Sequence, residues 1–125
     1  MHAIKENVTI VTASDGTGIG YTSVLNGRVL SIIYSKAGSG SYTDGVDFDI
    51  TGETTGQIIW DQDNVNASAQ IQPRQATHST AGAASLYAAA GTAVNDFIYI
   101  ANERIKISIA NGGDTHTGTF TVLVG

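Results

Sequence analysis

The side chains with the chemistry to bind or catalyse are few in this sequence, and their spacing decides what they could do. Two acidic groups are spaced closely enough to suggest a calcium site: Asp44, Asp47 and Asp49, and then Asp61, Asp63 and Asn64. Calcium takes about six to eight oxygen ligands, and neither group has the glycine and distal glutamate of an EF-hand loop. Because alternate residues of a strand face the same side, Asp47 and Asp49 fit solvent-facing positions of a strand. We therefore expect no metal site.

The remaining reactive groups lack catalytic spacing. The glycine-rich stretch at residues 16–20 has neither the Lys-Ser/Thr pair nor the following helix of a phosphate-binding loop, so it is interpreted as a β-turn. The three histidines, His2, His78 and His116, are far apart in the sequence, and no Gly-x-Ser-x-Gly nucleophile elbow accompanies them. The absence of cysteine excludes disulfides, thiolate zinc sites and cysteine nucleophiles. We expect no catalytic residue, no cofactor and no enzyme activity.

Composition narrows the class of partner. Hydrophobic residues make up 42% of the chain, which excludes disorder, and only 14% are charged, against about 25% in a typical domain. The net charge of −5 and the scattered basic residues argue against nucleic-acid binding. No secretory signal is visible, and no apolar run approaches the roughly 18 residues of a membrane helix. We expect a protein that folds in a cytoplasm and binds neither nucleic acid nor membrane.

Short β-branched runs between turn residues predict the secondary structure. Residues 46–50, 104–109 and 119–124 alternate apolar and polar side chains, as half-buried strands do. Turn signals predict hairpins at Asn26-Gly27 and at 111–114, and a turn at 61–64. Together these patterns predict one all-β domain over residues 1–125, an antiparallel sandwich or barrel of roughly seven to nine short strands. The predicted core comprises Phe48, Ile50, Ile105, Ile107, Ile109, Phe120, Val122 and Val124.

Residues 74–93 interrupt this rhythm. They are mostly Ala, Gly, Ser and Thr, and they have too little charge for an ordinary solvated loop and too few large apolar side chains for a core. A helical turn over 83–90 fits the alanine content but would be marginal alone, so we interpret the segment as a long, mostly irregular arm. The loop at 36–45 has a similar composition. Both segments are predicted to form much of the subunit–subunit or subunit–capsid contact and to be mobile in an isolated monomer.

Large side chains in or beside these segments are the candidate contact residues. Leu86 and Tyr87 are interpreted as anchors and Arg74 as a polar latch. For the aromatic candidates, core packing and stacking on a sugar remain open alternatives. The full set of candidates is Tyr42, Trp60, Arg74, His78, Leu86 and Tyr87.

The order of several segments resembles a known family. An Ile32-Ile33-Tyr34 run precedes Asp47-Phe48-Asp49-Ile50-Thr51-Gly52; after these come Ile58-Ile59-Trp60, Gln72-Pro73-Arg74, and Glu103-Arg104-Ile105-Lys106 ahead of Gly112-Gly113. From about residue 20 onward, this order resembles small minor capsid, decoration or cement proteins of tailed bacteriophages and prophages.

The resemblance implies a β-sandwich-like domain, usually a homotrimer, bound to the major capsid protein on the outside of the capsid. It implies a virion protein that is assembled in the host cytoplasm and has no catalytic residues. Two other functions remain open: a tail or head–tail accessory β-domain, and a carbohydrate-binding or adhesin-like module.

Overall fold

A computed structural model describes residues 2–125, which form eleven β-strands and no helix. The prediction of an antiparallel all-β fold is confirmed. Eight strands have four or more residues, within the predicted number, and three strands of three residues raise the total. The strands are β1 Ile4–Val11, β2 Gly18–Tyr21, β3 Leu25–Lys36, β4 Val46–Gly52, β5 Ile58–Val65, β6 Ala69–Ile71, β7 Arg74–Ala76, β8 Asn95–Phe97, β9 Tyr99–Glu103, β10 Ile105–Ala110 and β11 Thr117–Val124. Residues 2–125 also contain no helix with the length and apolarity needed to cross a bilayer.

Two antiparallel sheets form the body of the protein. The first sheet has the order β1-β11-β3-β6, and β9 also pairs with β3. The second sheet has the order β2-β10-β4-β5. A separate two-stranded sheet is formed by β7 and β8. Inward side chains of both sheets belong to one hydrophobic cluster, as expected of a β-sandwich.

The alternating strands supply the core as predicted. All eight predicted core residues are buried, and Ile50, Ile105 and Ile107 have no exposed surface. The centre of the core is aromatic: the ring of Phe48 lies 4.7 Å from that of Tyr34 and 4.9 Å from that of Phe120. Edge-to-face packing of this kind adds to the hydrophobic free energy of burial.

Two predicted hairpins and one predicted turn are wrong, and each has a physical reason. Asn26-Gly27 lies inside β3, where the pairing with β9 shifts register at Gly27, whose φ of 126° suits glycine. Residues 111–114 connect β10 to β11, which belong to different sheets, so they form a crossing and not a hairpin. Residues 61–64 are part of β5.

A buried carboxylate fixes the turn between β4 and β5. Glu103 is 3% exposed, and its Oε1 accepts the backbone N–H groups of Thr54 at 3.0 Å and Thr55 at 3.2 Å, with both threonine hydroxyls donating as well. Burial raises the pKa of Glu103, but the hydrogen bonds from Thr55 and Thr54 outweigh it and lower that pKa below its usual value. Glu103 therefore holds this end of the sandwich in its ionised form.

Candidate interaction surface

The arm leaves the body at one edge of β3. Two strands share that edge: β6 pairs with residues 32–34 of β3, and β9 pairs with residues 25–28. Both run antiparallel to β3, so β9 continues along the edge beyond the point where β6 stops. The arm is therefore an excursion from a single interrupted edge strand.

Pro73 accounts for the point of departure. Proline has no backbone N–H and cannot continue a hydrogen-bonded ladder, so β6 ends just before it. Directly after Pro73, β7 pairs with β8, with Arg74 opposite Phe97 and Ala76 opposite Asn95. The base of the arm is thus a short hairpin, separate from both sheets.

Two guanidinium groups lie over one aromatic ring at this base. The Cζ atom of Arg74 is 4.0 Å from the centre of the Phe97 ring, and that of Arg28 is 5.1 Å from it. Both distances are within the range of a cation–π interaction. Arg28 Nε also donates to the carbonyl of Gly125 at 3.1 Å, and Arg74 Nη1 donates to the carbonyl of Pro73 at 2.8 Å. These contacts fix the position of the arm base on β3.

Beyond the base, the arm is ordered by its own backbone. The N–H of Thr77 donates to Val94 O at 2.8 Å, that of Val94 to Ser85 O at 2.9 Å, and that of Ser85 to Thr77 O at 2.9 Å. The N–H of Ser79 donates to Ala83 O at 2.8 Å and closes a tight turn. The prediction of a mostly irregular arm is confirmed: residues 77–94 form turns and isolated bridges, and no helix forms over 83–90. These backbone bonds nevertheless tie its segments to one another.

The tip of the arm presents small, uncharged side chains to solvent. Residues 77–94 contain no Asp, Glu, Lys or Arg. The largest side chains there are Leu86, which is 44% exposed, and Tyr87, which is 75% exposed. Arg74 and His78 are exposed as well. Four of the six predicted contact residues therefore lie on this one projection.

Tyr42 is not a surface residue, and the prediction for it is wrong. It is 2% exposed, its ring stacks 6.0 Å from that of Tyr34, and its hydroxyl donates to Ile10 O at 2.7 Å. Burial, with a smaller contribution from Tyr34, raises its pKa far above the usual range. The Tyr42 side chain packs at one end of the core and so holds the 36–45 loop against the core.

Trp60 is also a core residue. It is 6% exposed, its ring packs edge-on 5.6 Å from that of Phe48, and its Nε1 donates to Gln62 Oε1 at 2.9 Å. A register shift in the β4–β5 pairing places Ile59 and Trp60 both inside, which simple alternation does not predict. Trp60 therefore contributes to stability and not to a contact surface.

The two acidic groups meet on the outer face of the second sheet. Asp47, Asp49, Asp61 and Asp63 line a depression of about 330 Å³. Asp49 is the direct cross-strand partner of Asp61, and Asp47 accepts the backbone N–H of Asn64 at 3.0 Å. Within residues 2–125, no three His, Cys, Asp or Glu side chains are placed to hold a metal ion. We call these four side chains the aspartate face.

His78 and His116 lie in different parts of the structure, one on the arm and the other between β10 and β11. His78 is exposed on the arm, whereas His116 is half-buried beside Gly113, and its Nδ1 has no hydrogen-bond partner among the described residues.

Arg28 and Phe97 are members of the arm base that sequence reasoning missed. They are far apart in the chain, and only the pairing of β3 with β9 brings them together. No local pattern signals such a contact.

Comparisons with known proteins add little. No protein-family model matches the chain, and no curated protein matches it significantly. A solved structure titled "Crystal Structure of FLHE" aligns with 99% of this chain and 98% of its own, with a TM-score of 0.47 and 8% sequence identity. At that TM-score the likeness carries no argument about fold or function.

Proposed function

We propose that this chain is a structural protein of a tailed-phage virion. It binds the major capsid protein on the outer surface of the capsid as a homotrimer and stabilises the particle without catalysis. The resemblance described from the sequence favours this class of protein.

The observation that carries the proposal is the arm. It projects from an edge strand, its tip is free of charge, and it exposes Leu86 and Tyr87. Aromatic side chains surrounded by small residues are typical anchors of protein interfaces, because they bury much area at little conformational cost. The body, with one core and a fixed turn at Glu103, provides a rigid mount for the arm.

The test removes the tip and leaves the body intact. Because Ala76 and Asn95 are cross-strand partners, an Asn-Gly turn can join them directly and replace residues 77–94. We expect the melting temperature to change by only a few degrees while binding to undecorated capsids falls by about tenfold or more. The proposal predicts a major capsid gene beside the gene for this chain, and the capsids for the test are assembled from the product of that gene.

A matched pair of point variants distinguishes the loss of a specific arm contact from the general effect of removing an exposed tyrosine. Tyr87→Ala removes an exposed tyrosine from the arm, and Tyr99→Ala removes one that is 54% exposed on β9. Weaker capsid binding for Tyr87→Ala alone supports the proposal. Full binding by the chain without its arm tip contradicts it.

A further inference from the structure

The two arginines of the arm base form no ion pair within residues 2–125. The base also contains Asp96, whose Oδ1 accepts the backbone N–H of Phe97 at 2.7 Å. The guanidinium groups of Arg28 and Arg74 are held on Phe97, and each donates only to a backbone carbonyl. The ion pairs within residues 2–125 are Lys36–Asp44 and Arg104–Glu53, so neither arm-base arginine takes part in one. Two fixed guanidiniums of this kind match carboxylates in geometry and charge.

The aspartate face has the opposite charge, and three of its four carboxylates have no partner. Asp49, Asp61 and Asp63 make no side-chain hydrogen bond or ion pair within the described residues, and Asp49 stands directly opposite Asp61. Like charges at directly opposed positions destabilise a sheet. Small side chains at Ser108 and Ala110 border the depression and leave room for an incoming group.

We propose that copies of this chain associate head to tail, with the arm base of one copy docked on the aspartate face of the next. This inference rests on the proposed function only for the expectation that the chain is oligomeric. The arm base lies at an edge of the first sheet and the aspartate face is on the outside of the second. Two different surfaces form the contact, so it is heterologous, and it closes into a ring when the rotation between copies allows.

A second copy is the occupant that charge favours. The chain has a net charge of −5, so two copies repel each other unless opposite charges face one another at the contact. Arg28 and Arg74 facing the aspartate face supply that opposition. The tip at 77–94 is uncharged, so it adds no repulsion between the two copies.

Charge reversal on each side tests the contact by mass measurement in solution. Arg74→Glu and Asp61→Lys should each weaken self-association by about tenfold or more, and the double variant should restore it. Raising salt from about 0.05 to about 0.5 M should weaken the wild-type oligomer. Lys5→Glu is the matched control, because it makes the same charge change on exposed β1.

Mixing the two single variants tests whether the arm base and the aspartate face contact each other. The unchanged arm base of the Asp61→Lys chain can dock on the unchanged aspartate face of the Arg74→Glu chain, and the two altered surfaces also carry opposite charges. The mixture should therefore associate under conditions in which each variant alone does not. Melting curves identify any variant that fails to fold. Asp61→Lys changes β5 and leaves the arm base unaltered, so it tests the contact even if Arg74→Glu disrupts the arm base.

The inference is overturned if the wild-type chain stays monomeric, if Arg74→Glu behaves like Lys5→Glu, or if the mixed variants do not pair. Capsid binding by a monomeric wild-type chain would remove the head-to-tail contact and leave the capsid role standing. A head-to-tail oligomer that does not bind capsids would support the contact between copies and contradict the capsid role.

Discussion

The loop at 36–45 and the arm are alike in composition and opposite in structure. Each contains one tyrosine among small residues, yet Tyr42 in the loop is 2% exposed and Tyr87 in the arm is 75% exposed. The loop is held by Tyr42 in the core, by an ion pair of 3.2 Å between Lys36 and Asp44, and by the bond from Thr43 N to Gly112 O at 3.1 Å. The arm beyond its base is held by bonds within itself.

The two segments differ in how much of each is packed in the core, and this decides which side chains are available to a partner. The Tyr42 ring packs in the core and anchors the loop there, so this side chain is not available to a partner. The partner contacts and the mobility of the loop stay predictions. The arm contributes nothing to the core beyond its base, because no residue from 77 to 94 is buried.

Tyr42→Ala should have the largest effect on stability. Loss of a buried aromatic ring and of its bond to Ile10 O should lower the free energy of unfolding by about 3–5 kcal/mol. Chemical denaturation measures this, and Tyr42→Phe should cost less, about 1–3 kcal/mol, because only the hydrogen bond is lost. A loss below about 0.5 kcal/mol for Tyr42→Ala would mean that the loop is not held by this ring.

Gly52→Ala should come next, at the other fixed end of the sandwich. A Cβ at this position would lie 2.7 Å from both Glu103 Oε1 and Thr55 Oγ1, so the buried carboxylate and its turn must shift. We expect a loss of about 1–3 kcal/mol in thermal or denaturant unfolding. Gly38→Ala in the loop is the control, since a Cβ there meets nothing within 4 Å. Equal effects of the two variants would contradict the role given to Glu103.

Acid should loosen the Glu103 end and leave the arm tip unaffected. The pKa of Glu103 is lowered in the folded chain, so its contribution to stability is complete above the unfolded value near 4.5 and is lost as pH falls through the lower folded value. Glu103→Gln should be less stable at neutral pH and should flatten the dependence of the melting temperature on pH below about 4.5. An unchanged acid slope in this variant would assign the dependence to other carboxylates.

Tyr87→Ala should have the smallest effect on folding. Because the side chain is mostly exposed, the free energy of unfolding should change by no more than about 0.5 kcal/mol. Denaturant titration beside Tyr42→Ala gives the comparison directly. A cost of several kcal/mol for Tyr87→Ala would show that the arm packs on the body, against the exposure described above.

The sequence predicted the elements whose period is local and missed those fixed by distant contacts. Alternation located β4, β10 and most of β11, together with their core residues, because each strand has one face inward. Asn-Gly is a sequence typical of both a hairpin turn and a β-bulge. At Asn26-Gly27 it forms a bulge, because β3 continues through these residues and pairs with β9. Composition placed Tyr42 in a loop correctly but gave no information on the direction of its ring.

The candidate surface follows the same division. Arg74, His78, Leu86 and Tyr87 were predicted because an uncharged insertion is visible in the sequence itself. The pairing of Arg28 with Phe97, and of Asp49 with Asp61, depends on strand register and is not visible there. Sequence reasoning therefore found the projecting segment and missed the charges that we propose to orient it.

Amide hydrogen exchange of the free and capsid-bound chain reports on the arm and the loop in one experiment. We expect amides in 77–94 to become at least about tenfold more protected on the capsid while those in 37–45 change little. Protection that is unchanged in the arm on binding, or that increases only in the loop, would contradict the claim that the arm is the contact segment.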